Sequence, residues 1–314
     1  MGAEANDSRV APCPRISVVI PHLNEPDNLR RCLDALYRPG AGAPSFEVIV
    51  ADNGSVVPPF AVCATYPKTR LVLEPHPGPG PARNTAASLA RGDVICFIDA
   101  DCFVEPDYLT ICAAFFDTHP GCDFVGGSVG IAPSQPSRLI PAEAYEAAFA
   151  YRTEMFVRRQ GFAATANMAV RREVFRVVGH FAGIARHEDR VWGQRAVSMG
   201  FELDYLPAAR VLTPGSLNFF ELSERIERHV AHDFAELGPG WVASLKWFVR
   251  AGMVLVSPPL GIAEIIRCAQ IDGPWLQLQV FAYLCRARAY RAWLMMAALA
   301  SNKSGHLLAR WNRS

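Results

Sequence analysis

Closely spaced cysteine pairs are missing from this sequence of 314 residues, although it contains nine cysteines. An odd number of scattered cysteines without a C-x-x-C pair indicates neither a zinc site nor a disulfide framework. We therefore expect reduced, mostly buried thiols and a cytoplasmic protein. The first 15 residues lack an apolar segment, so they are not predicted to be a secretory signal peptide.

An excess of charge of one sign is also missing, because the net charge is only +1. This balance gives no reason to expect nucleic acid as a partner. The charges are unevenly placed, however. Residues 241–314 hold nine Lys or Arg and two acids, a net charge of +7, which leaves −6 on residues 1–240. The sequence predicts a basic tail beside a mildly acidic globular part.

Long uncharged apolar runs are missing from this tail. The stretch 251–263 is shorter than the roughly 20 residues that a membrane-spanning helix needs. The stretch 275–300 is longer, but three arginines in it would lie near the bilayer centre. Helices lying in the interface of an anionic membrane, with tryptophans at the boundary, fit this composition better. A buried helical hairpin or a dimer interface is the alternative.

Short apolar segments alternate with helical patterns in the first hundred residues. Strands are predicted at 16–20, 46–51, 70–73 and 93–98, and helices at 24–36 and about 78–90. Repeated strand–helix–strand units with short connections indicate a Rossmann-like, doubly wound α/β sheet with helices on both faces. Further along, we predict strands at 124–129, 167–170, 201–205 and 209–213, and helices at 142–159, from 171, at 187–199 and at 221–236.

Two carboxylates follow the fourth predicted strand, in Ile98-Asp-Ala-Asp101. Ligands of open α/β sheets bind beyond the carboxyl ends of the strands, where Asp99 and Asp101 would project. Two such carboxylates can hold Mg²⁺ or Mn²⁺, which would neutralise a departing diphosphate. A solvated acidic turn is the alternative reading of the same residues.

Polar residues follow the other strands as well. Asp52 and Asn53 begin Asp52-Asn-Gly-Ser55, which could bind a base or ribose or could simply form a turn. Asn24 and Glu25 could contact a ligand or could begin a helix. Arg83 is predicted at a helix N-terminus behind a Gly/Pro-rich loop, where phosphates bind, although a surface arginine is an alternative.

Glu188 and Asp189 precede an apolar helical pattern. Acids in a first turn interact favourably with the helix dipole, which would explain one of them without any catalytic role. A carboxylate at this point could also serve as a general base.

Taken together, these segments resemble the family 2 glycosyltransferases. The resemblance rests on the ordered set Ile16-Ser-Val-Val-Ile-Pro-His-Leu-Asn-Glu25, Val50-Ala-Asp-Asn-Gly-Ser55, Pro81-Ala-Arg-Asn84, Phe97-Ile-Asp-Ala-Asp101, Ala166-Asn-Met-Ala-Val-Arg-Arg172 and His187-Glu-Asp189. It covers roughly residues 15–235. It implies a GT-A fold and transfer, with inversion, of a sugar from a nucleotide-sugar donor, with a UDP-sugar favoured.

The resemblance also implies roles for individual residues. Asn24, Glu25, Asp52 and Asn53 would bind the nucleoside, and Arg83 the diphosphate or ribose. Asp99 would contact ribose and metal, and Asp101 would bind the metal directly. Gly126, Gly127 and Asn167 would line the sugar and acceptor side. Asp189 would be the general base, with Glu188 as a supporting neighbour.

Two departures from the family pattern affect these roles. Many relatives place a metal-binding histidine where this chain has Thr213, and His229 or His232 could substitute. The Gln-x-x-Arg-Trp signature of processive synthases is also missing, so we expect the addition of one or a few sugars. Arg228 is the basic residue that we expect to face the leaving phosphate.

We therefore predict a GT-A domain over 15–240 and a helical, membrane-apposed tail over 241–314. The chain would act at the inner face of the cell membrane on a saccharide or lipid-linked acceptor. A nucleotidyltransferase is one alternative, but the first strand is not followed by a Gly-rich, basic loop. A degenerate sugar-binding scaffold protein is the other alternative.

Overall fold

The computed structural model describes residues 13–38, 42–135, 138–183, 187–235 and 237–301. These residues form two compact units, each assembled from separate parts of the chain. The first contains the described residues up to Val129 together with Thr153–Val211, and the second contains Gly130–Arg152 and the described residues from Leu212 onward. The predicted division at 240/241 stays a prediction, and residues 302–314 of the predicted tail lie outside the described part.

Within the described residues, eight strands form a single mixed sheet in the order β3-β2-β1-β4-β7-β6-β8-β5. The strands are β1 (Ile16–His22), β2 (Phe46–Asp52), β3 (Thr69–Leu73), β4 (Val94–Ile98), β5 (Phe103–Val104), β6 (Phe124–Ala132), β7 (Asn167–Arg171) and β8 (Leu203–Pro214). β1 pairs in parallel with β2 and β4, whereas β7 is antiparallel to both β4 and β6.

The helices are α1 (Pro26–Leu36), α2 (Phe60–Cys63), α3 (Pro79–Ser88), α4 (Tyr108–Thr118), α5 (Pro141–Phe149), α6 (Thr153–Gln160), α7 (Arg172–Val178), α8 (Glu188–Ser198), α9 (Phe219–Ala235), α10 (Trp241–Val256), α11 (Ile262–Arg267) and α12 (Pro274–Ser301). A 3₁₀ turn, Pro258–Gly261, joins α10 to α11.

Alternate residues of β1 belong to two different cores, because successive side chains of a strand point to opposite faces. Val18 packs in a core that includes residues of α1 and α4. Val19 packs in a second core with residues of α3, α7 and α8. Both faces of the sheet are therefore covered by helices, as the predicted doubly wound fold requires. All nine cysteines are free, and five of them are buried.

Two predicted elements differ from the structure. Two helices, α5 and α6, replace the single helix predicted over 142–159. The break between them lies at residues 150–152, where the chain leaves the second unit for the first. The strands predicted at 201–205 and 209–213 are the single strand β8. Pro207 is tolerated inside β8 because, among the described strands, only the two-residue β5 lies on that side of β8.

The second unit is helical around two cores. α9, α10 and α12 share one core, and α5, α11 and α12 share the other. Among the described helices, none alone has the length and apolar composition for a membrane crossing. Sufficient length and apolar composition are reached only when two segments are taken together, Trp241–Val256 and Pro258–Arg267. These two segments are bent by 59° relative to each other.

Candidate active site

The carboxyl ends of β1, β2 and β4 meet at one edge of the first unit. The β1–β2 register places His22 opposite Asp52. Asp99 follows the last residue of β4, the strand on the other side of β1. The parallel arrangement thus brings residues from distant parts of the sequence to the position where open α/β sheets bind ligands.

A buried hydrogen-bond network surrounds Asp52. One carboxylate oxygen lies 2.8 Å from His22 Nδ1 and accepts a hydrogen bond from the Ser55 hydroxyl at 2.6 Å. The other accepts from the Ser55 backbone N–H at 3.1 Å. Because the backbone N–H of Glu25 donates to His22 Nε2 at 3.2 Å, Nε2 carries no proton and Nδ1–H donates to Asp52. Asp52 is thus fixed in position by protein groups.

Asn24 connects the same network to the start of α1. Its backbone has a positive φ of 54°, a conformation that asparagine tolerates better than most residues. Its N–H donates to the Ser55 hydroxyl at 2.8 Å, and its side-chain oxygen accepts from Val56 N–H at 2.9 Å. Glu25 follows at the N-cap of α1 without a side-chain capping bond.

Asn53 holds the loop that precedes α3. Its side-chain NH₂ donates to the carbonyls of Glu74 (3.0 Å) and His76 (2.7 Å), and its oxygen accepts from Gly78 N–H at 2.6 Å. Gly78 has a φ of 118°, which favours glycine. The predicted nucleoside contact of Asn53 stays a prediction, whereas these bonds give it a role in positioning the N-terminus of α3.

Arg83, in the second turn of α3, joins two predicted site residues. Its guanidinium contacts Asp99 at 2.5 Å and Glu188 at 2.8 Å, although the two acids are 89 positions apart in the sequence. Burial by itself would lower the pKa of Arg83, but Asp99 and Glu188 outweigh that effect and raise it. The side chain is 5% exposed, and its buried Nε has no partner among the described residues. Arg83 is therefore a fixed positive charge between the end of β4 and the start of α8.

Asp101 lies in a crowded acidic environment. Burial, followed by the charges of Asp99 and Glu25, raises its pKa from 3.8 to about 6. A carboxylate whose pKa is raised by neighbouring carboxylates is stabilised in its charged form by a divalent cation, and oxygen ligands suit Mg²⁺ and Mn²⁺. Asp99 and Asp101 thus fit a metal site, although within the described residues no three His, Cys, Asp or Glu side chains converge as a complete ligand set.

Asp189 begins α8 beside Glu188. Burial, and then the charge of Glu188, raise its pKa, while the backbone N–H of Arg190 and the charge of Arg83 oppose the rise. One carboxylate oxygen accepts from Arg190 N–H at 2.7 Å. The two adjacent acids therefore have different environments: Glu188 is held by Arg83, and Asp189 has a raised proton affinity.

Gly127 and Asn167 form a structural brace between strands. Asn167 is buried, accepts from the Tyr108 hydroxyl at 3.0 Å, and donates to the carbonyls of Ser128 and Ala209, both at 2.8 Å. A Cβ at Gly127 would collide with the Ala209 carbonyl and the Asn167 amide. Their predicted contact with the sugar stays a prediction, while the packing by itself explains both residue types.

The remaining predicted residues belong to the second unit. Arg228 and His229 lie on α9, and Thr213 is buried near the end of β8. The side chain of His232 lies outside the described part of the structure. The predicted roles of Arg228 and of either histidine stay predictions.

His22 is the site residue that sequence reasoning missed. The sequence analysis gives it no role beyond its place in the motif Ile16–Glu25, yet its side chain is buried against Asp52. The available signal was its position two residues before Asn24, at the carboxyl end of a parallel strand whose neighbour ends in Asp52. Parallel pairing of two adjacent strand ends can bring their last side chains together.

The chain belongs to glycosyl transferase family 2. The family model of that description matches residues 17–179, just over half of the chain. Glycosyltransferase AglE of Haloferax volcanii is 28% identical over 200 residues, which cover 61% of this chain and 64% of AglE. Chondroitin synthase of Escherichia coli is 31% identical over 103 residues, 32% of this chain and 15% of that protein. The chain thus spans less than two thirds of the length of these relatives.

Two solved structures show the same fold. The mannosyltransferase PcManGT from Pyrobaculum calidifontis, in complex with GDP-Man and Mn²⁺, superposes with a TM-score of 0.55 at 20% identity, covering 96% of this chain and 88% of that one. TarS 1–349 of S. aureus, in complex with UDP-GlcNAc, gives a TM-score of 0.50 at 17% identity, with coverages of 93% and 92%. The predicted GT-A fold is confirmed.

Proposed function

We propose that this chain transfers a sugar from a nucleotide-sugar donor to a hydroxyl of a saccharide or lipid-linked acceptor, with inversion and with a divalent cation. The observation that carries the proposal is the Arg83 bridge between Asp99 and Glu188. It joins the acidic end of β4 to the start of α8, so that a cation site and a candidate base belong to one fixed constellation.

Mg²⁺ or Mn²⁺ would be held by Asp99 and Asp101, with the remaining positions taken by the donor or water. Bound there, the cation would stabilise the negative charge of the departing nucleoside diphosphate. Arg83 supports this by fixing Asp99. The His22–Asp52–Ser55 network and Asn24 would form the wall on which the nucleoside lies. A UDP-sugar is the favoured donor. Of the two similar structures, the mannosyltransferase contains GDP-Man and TarS contains UDP-GlcNAc.

Asp189 is the proposed general base. The acceptor oxygen forms a bond to the anomeric carbon while the bond from that carbon to the diphosphate oxygen breaks, and Asp189 takes the hydroxyl proton. A raised pKa suits this task because it strengthens the proton affinity of the carboxylate. Glu188 suits it less, since its carboxylate is already engaged in an ion pair with Arg83 at 2.8 Å.

The acceptor side is proposed to lie at the inner face of the cell membrane. Large apolar side chains on α10, the 3₁₀ turn and α11 are exposed, among them Trp241, Phe248, Leu260 and Ile266. Exposed apolar patches of this kind mark interaction surfaces, and basic residues interspersed with them favour an anionic membrane.

Family membership disfavours a nucleotidyltransferase, and the presence of Asp99, Asp101 and Asp189 together disfavours a degenerate scaffold protein.

The test is a panel of UDP- and GDP-sugars, measuring nucleoside diphosphate release with Mn²⁺, Mg²⁺ or a chelator. We expect turnover of at least one donor that requires metal. Asp101→Asn should abolish the metal-dependent turnover. Asp107→Asn is the matched control, since this aspartate is exposed and makes no capping bond, and it should behave as wild type. Equal donor turnover with metal and with chelator would contradict the proposal.

A further inference from the structure

A cavity of about 400 Å³ in the second unit has a positively charged wall. Arg152, Arg250 and Arg288 line it together with one acid, Glu264. Its size falls in the range of small-molecule sites, about 300–1,000 Å³. All of these residues lie within the second unit, so the cavity is built entirely by the helices of that unit and the segment that follows α5.

Part of this positive charge is paired inside the protein. Arg152 contacts Glu264 at 3.0 Å, and Arg250 contacts Asp233 at 2.9 Å. Arg291 contacts the same Asp233 oxygen at 3.0 Å, so a single carboxylate serves two guanidinium groups. Two acids therefore neutralise three arginines.

Arg288 adds a further positive charge. Among the described residues it has no hydrogen-bond or ion-pair partner, and its Nε is buried without a partner. The neighbouring Arg291 is affected as well: burial, and then the charges of Arg250 and Arg288, lower its pKa against the effect of Asp233. Partly desolvated charges of one sign cost free energy unless a counter-ion joins them, so this cluster is suited to an anion.

The cavity wall is also apolar, which restricts the kind of anion. Met253 and Leu260 line it, and both are exposed, Leu260 to 80%. Other apolar side chains on α10 and α11 are exposed as well, among them Phe248 and Ile266. An inorganic anion would use the arginines and leave this apolar surface in water, whereas an amphiphile with an anionic head would use both.

We propose that this cavity binds the phosphate headgroup of an anionic membrane lipid, with the acyl chains along the exposed face of α10 and α11. Guanidinium groups suit phosphate because they donate two parallel hydrogen bonds to its oxygens. The site deepens the proposed membrane apposition, and it is independent of the donor site and of the chemistry of sugar transfer.

The test measures binding of soluble lipids to the full chain by calorimetry. The probes are dihexanoyl phosphatidic acid, dihexanoyl phosphatidylcholine and inorganic phosphate. Dihexanoyl phosphatidic acid should bind one to one and at least about tenfold more tightly than either of the others. Arg288→Gln should weaken the binding of dihexanoyl phosphatidic acid by about tenfold or more, because a hydrogen bond between two charged groups is lost. Lys246→Gln is the matched control, since it removes the same charge from an exposed position of α10 and should change affinity less than about twofold.

A second variant covers the case in which Arg288→Gln fails to fold. Leu260→Ser changes an exposed residue of the 3₁₀ turn. It should weaken the binding of phosphatidic acid but leave the binding of inorganic phosphate unchanged. Equal effects of Arg288→Gln and Lys246→Gln would overturn the site in favour of general surface charge. Inorganic phosphate binding as tightly as the lipid would overturn the lipid assignment, and no binding would overturn the proposal entirely. Nucleoside diphosphate affinity, measured in parallel, distinguishes a failure of the donor site from a failure of this one.

Discussion

Arg83→Gln should destabilise the first unit substantially, because it removes the positively charged guanidinium group that lies between Asp99 and Glu188. Removing one partner of a buried ion pair typically costs about 3–5 kcal/mol. The side chains of Asp99 and Glu188 are 34% and 18% exposed, so water screens part of the charge left behind. We therefore expect a loss of about 2–3 kcal/mol in the free energy of unfolding.

The assay is thermal unfolding with and without Mn²⁺. At about 2–4 °C per kcal/mol for a unit of roughly 150–250 residues, Tm should fall by roughly 4–12 °C. Mn²⁺ should raise Tm more in Arg83→Gln than in the wild type, because it would replace part of the lost positive charge beside Asp99. Arg158→Gln is the matched control: its ion pair with Glu154 is 60% exposed on both sides, and its loss should cost less than about 1 kcal/mol. A Tm of Arg83→Gln within 1 °C of that control would refute the reasoning.

Three further outcomes follow from the same geometry. The raised pKa of Asp101 means that, without metal, its contribution to stability is greatest below its ordinary pKa of 3.8 and is lost as the pH rises to about 6. Stabilisation by Mn²⁺ should show the opposite trend and be larger at pH 7.5 than at pH 5, and an equal Tm shift at both would argue against a cation at Asp101. Gly127→Ala should greatly reduce folded yield, because its Cβ would collide with a neighbouring strand, whereas Gly121→Ala meets nothing within 4 Å and should fold normally. His22→Ala should weaken nucleoside diphosphate binding by about tenfold, since it removes a hydrogen bond that holds Asp52, and calorimetry showing unchanged affinity would exclude that positioning role.

The sequence was sufficient for the sheet edge of the first unit. Short β-branched runs closed by polar residues predicted β1, β2 and β4, and the order of their strand-end motifs predicted the GT-A fold. These features depend on local patterns, and parallel pairing then places the strand ends together. The long-range partners were a different matter. Nothing local in the sequence indicates that Arg83 contacts Glu188, since that contact depends on how α3 and α8 pack on the sheet.

Polar residues that support the site were the hardest to interpret from sequence. The family positions of Asn53, Gly127 and Asn167 predict ligand contacts, and these stay predictions. The hydrogen bonds and packing of the same residues within the protein give each of them a structural role as well. A motif identifies residues that a site requires without separating those that touch a ligand from those that hold the chain. The continuity of β8 through Pro207 is likewise not visible in the local sequence, because a strand accepts proline only where the sheet leaves that position unpaired.

The measurement that tests the central claim most directly compares Asp189→Asn with Glu188→Gln in transfer rate and in nucleoside diphosphate affinity. Asparagine keeps nearly the shape of Asp189 but cannot accept the proton, so transfer should fall by about 10²–10⁴ while nucleotide affinity stays unchanged. Glu188→Gln should lower transfer less, because its amide oxygen can still accept from Arg83. Near-normal transfer by Asp189→Asn would contradict the account, and an inactive Glu188→Gln beside it would assign the base to Glu188 instead.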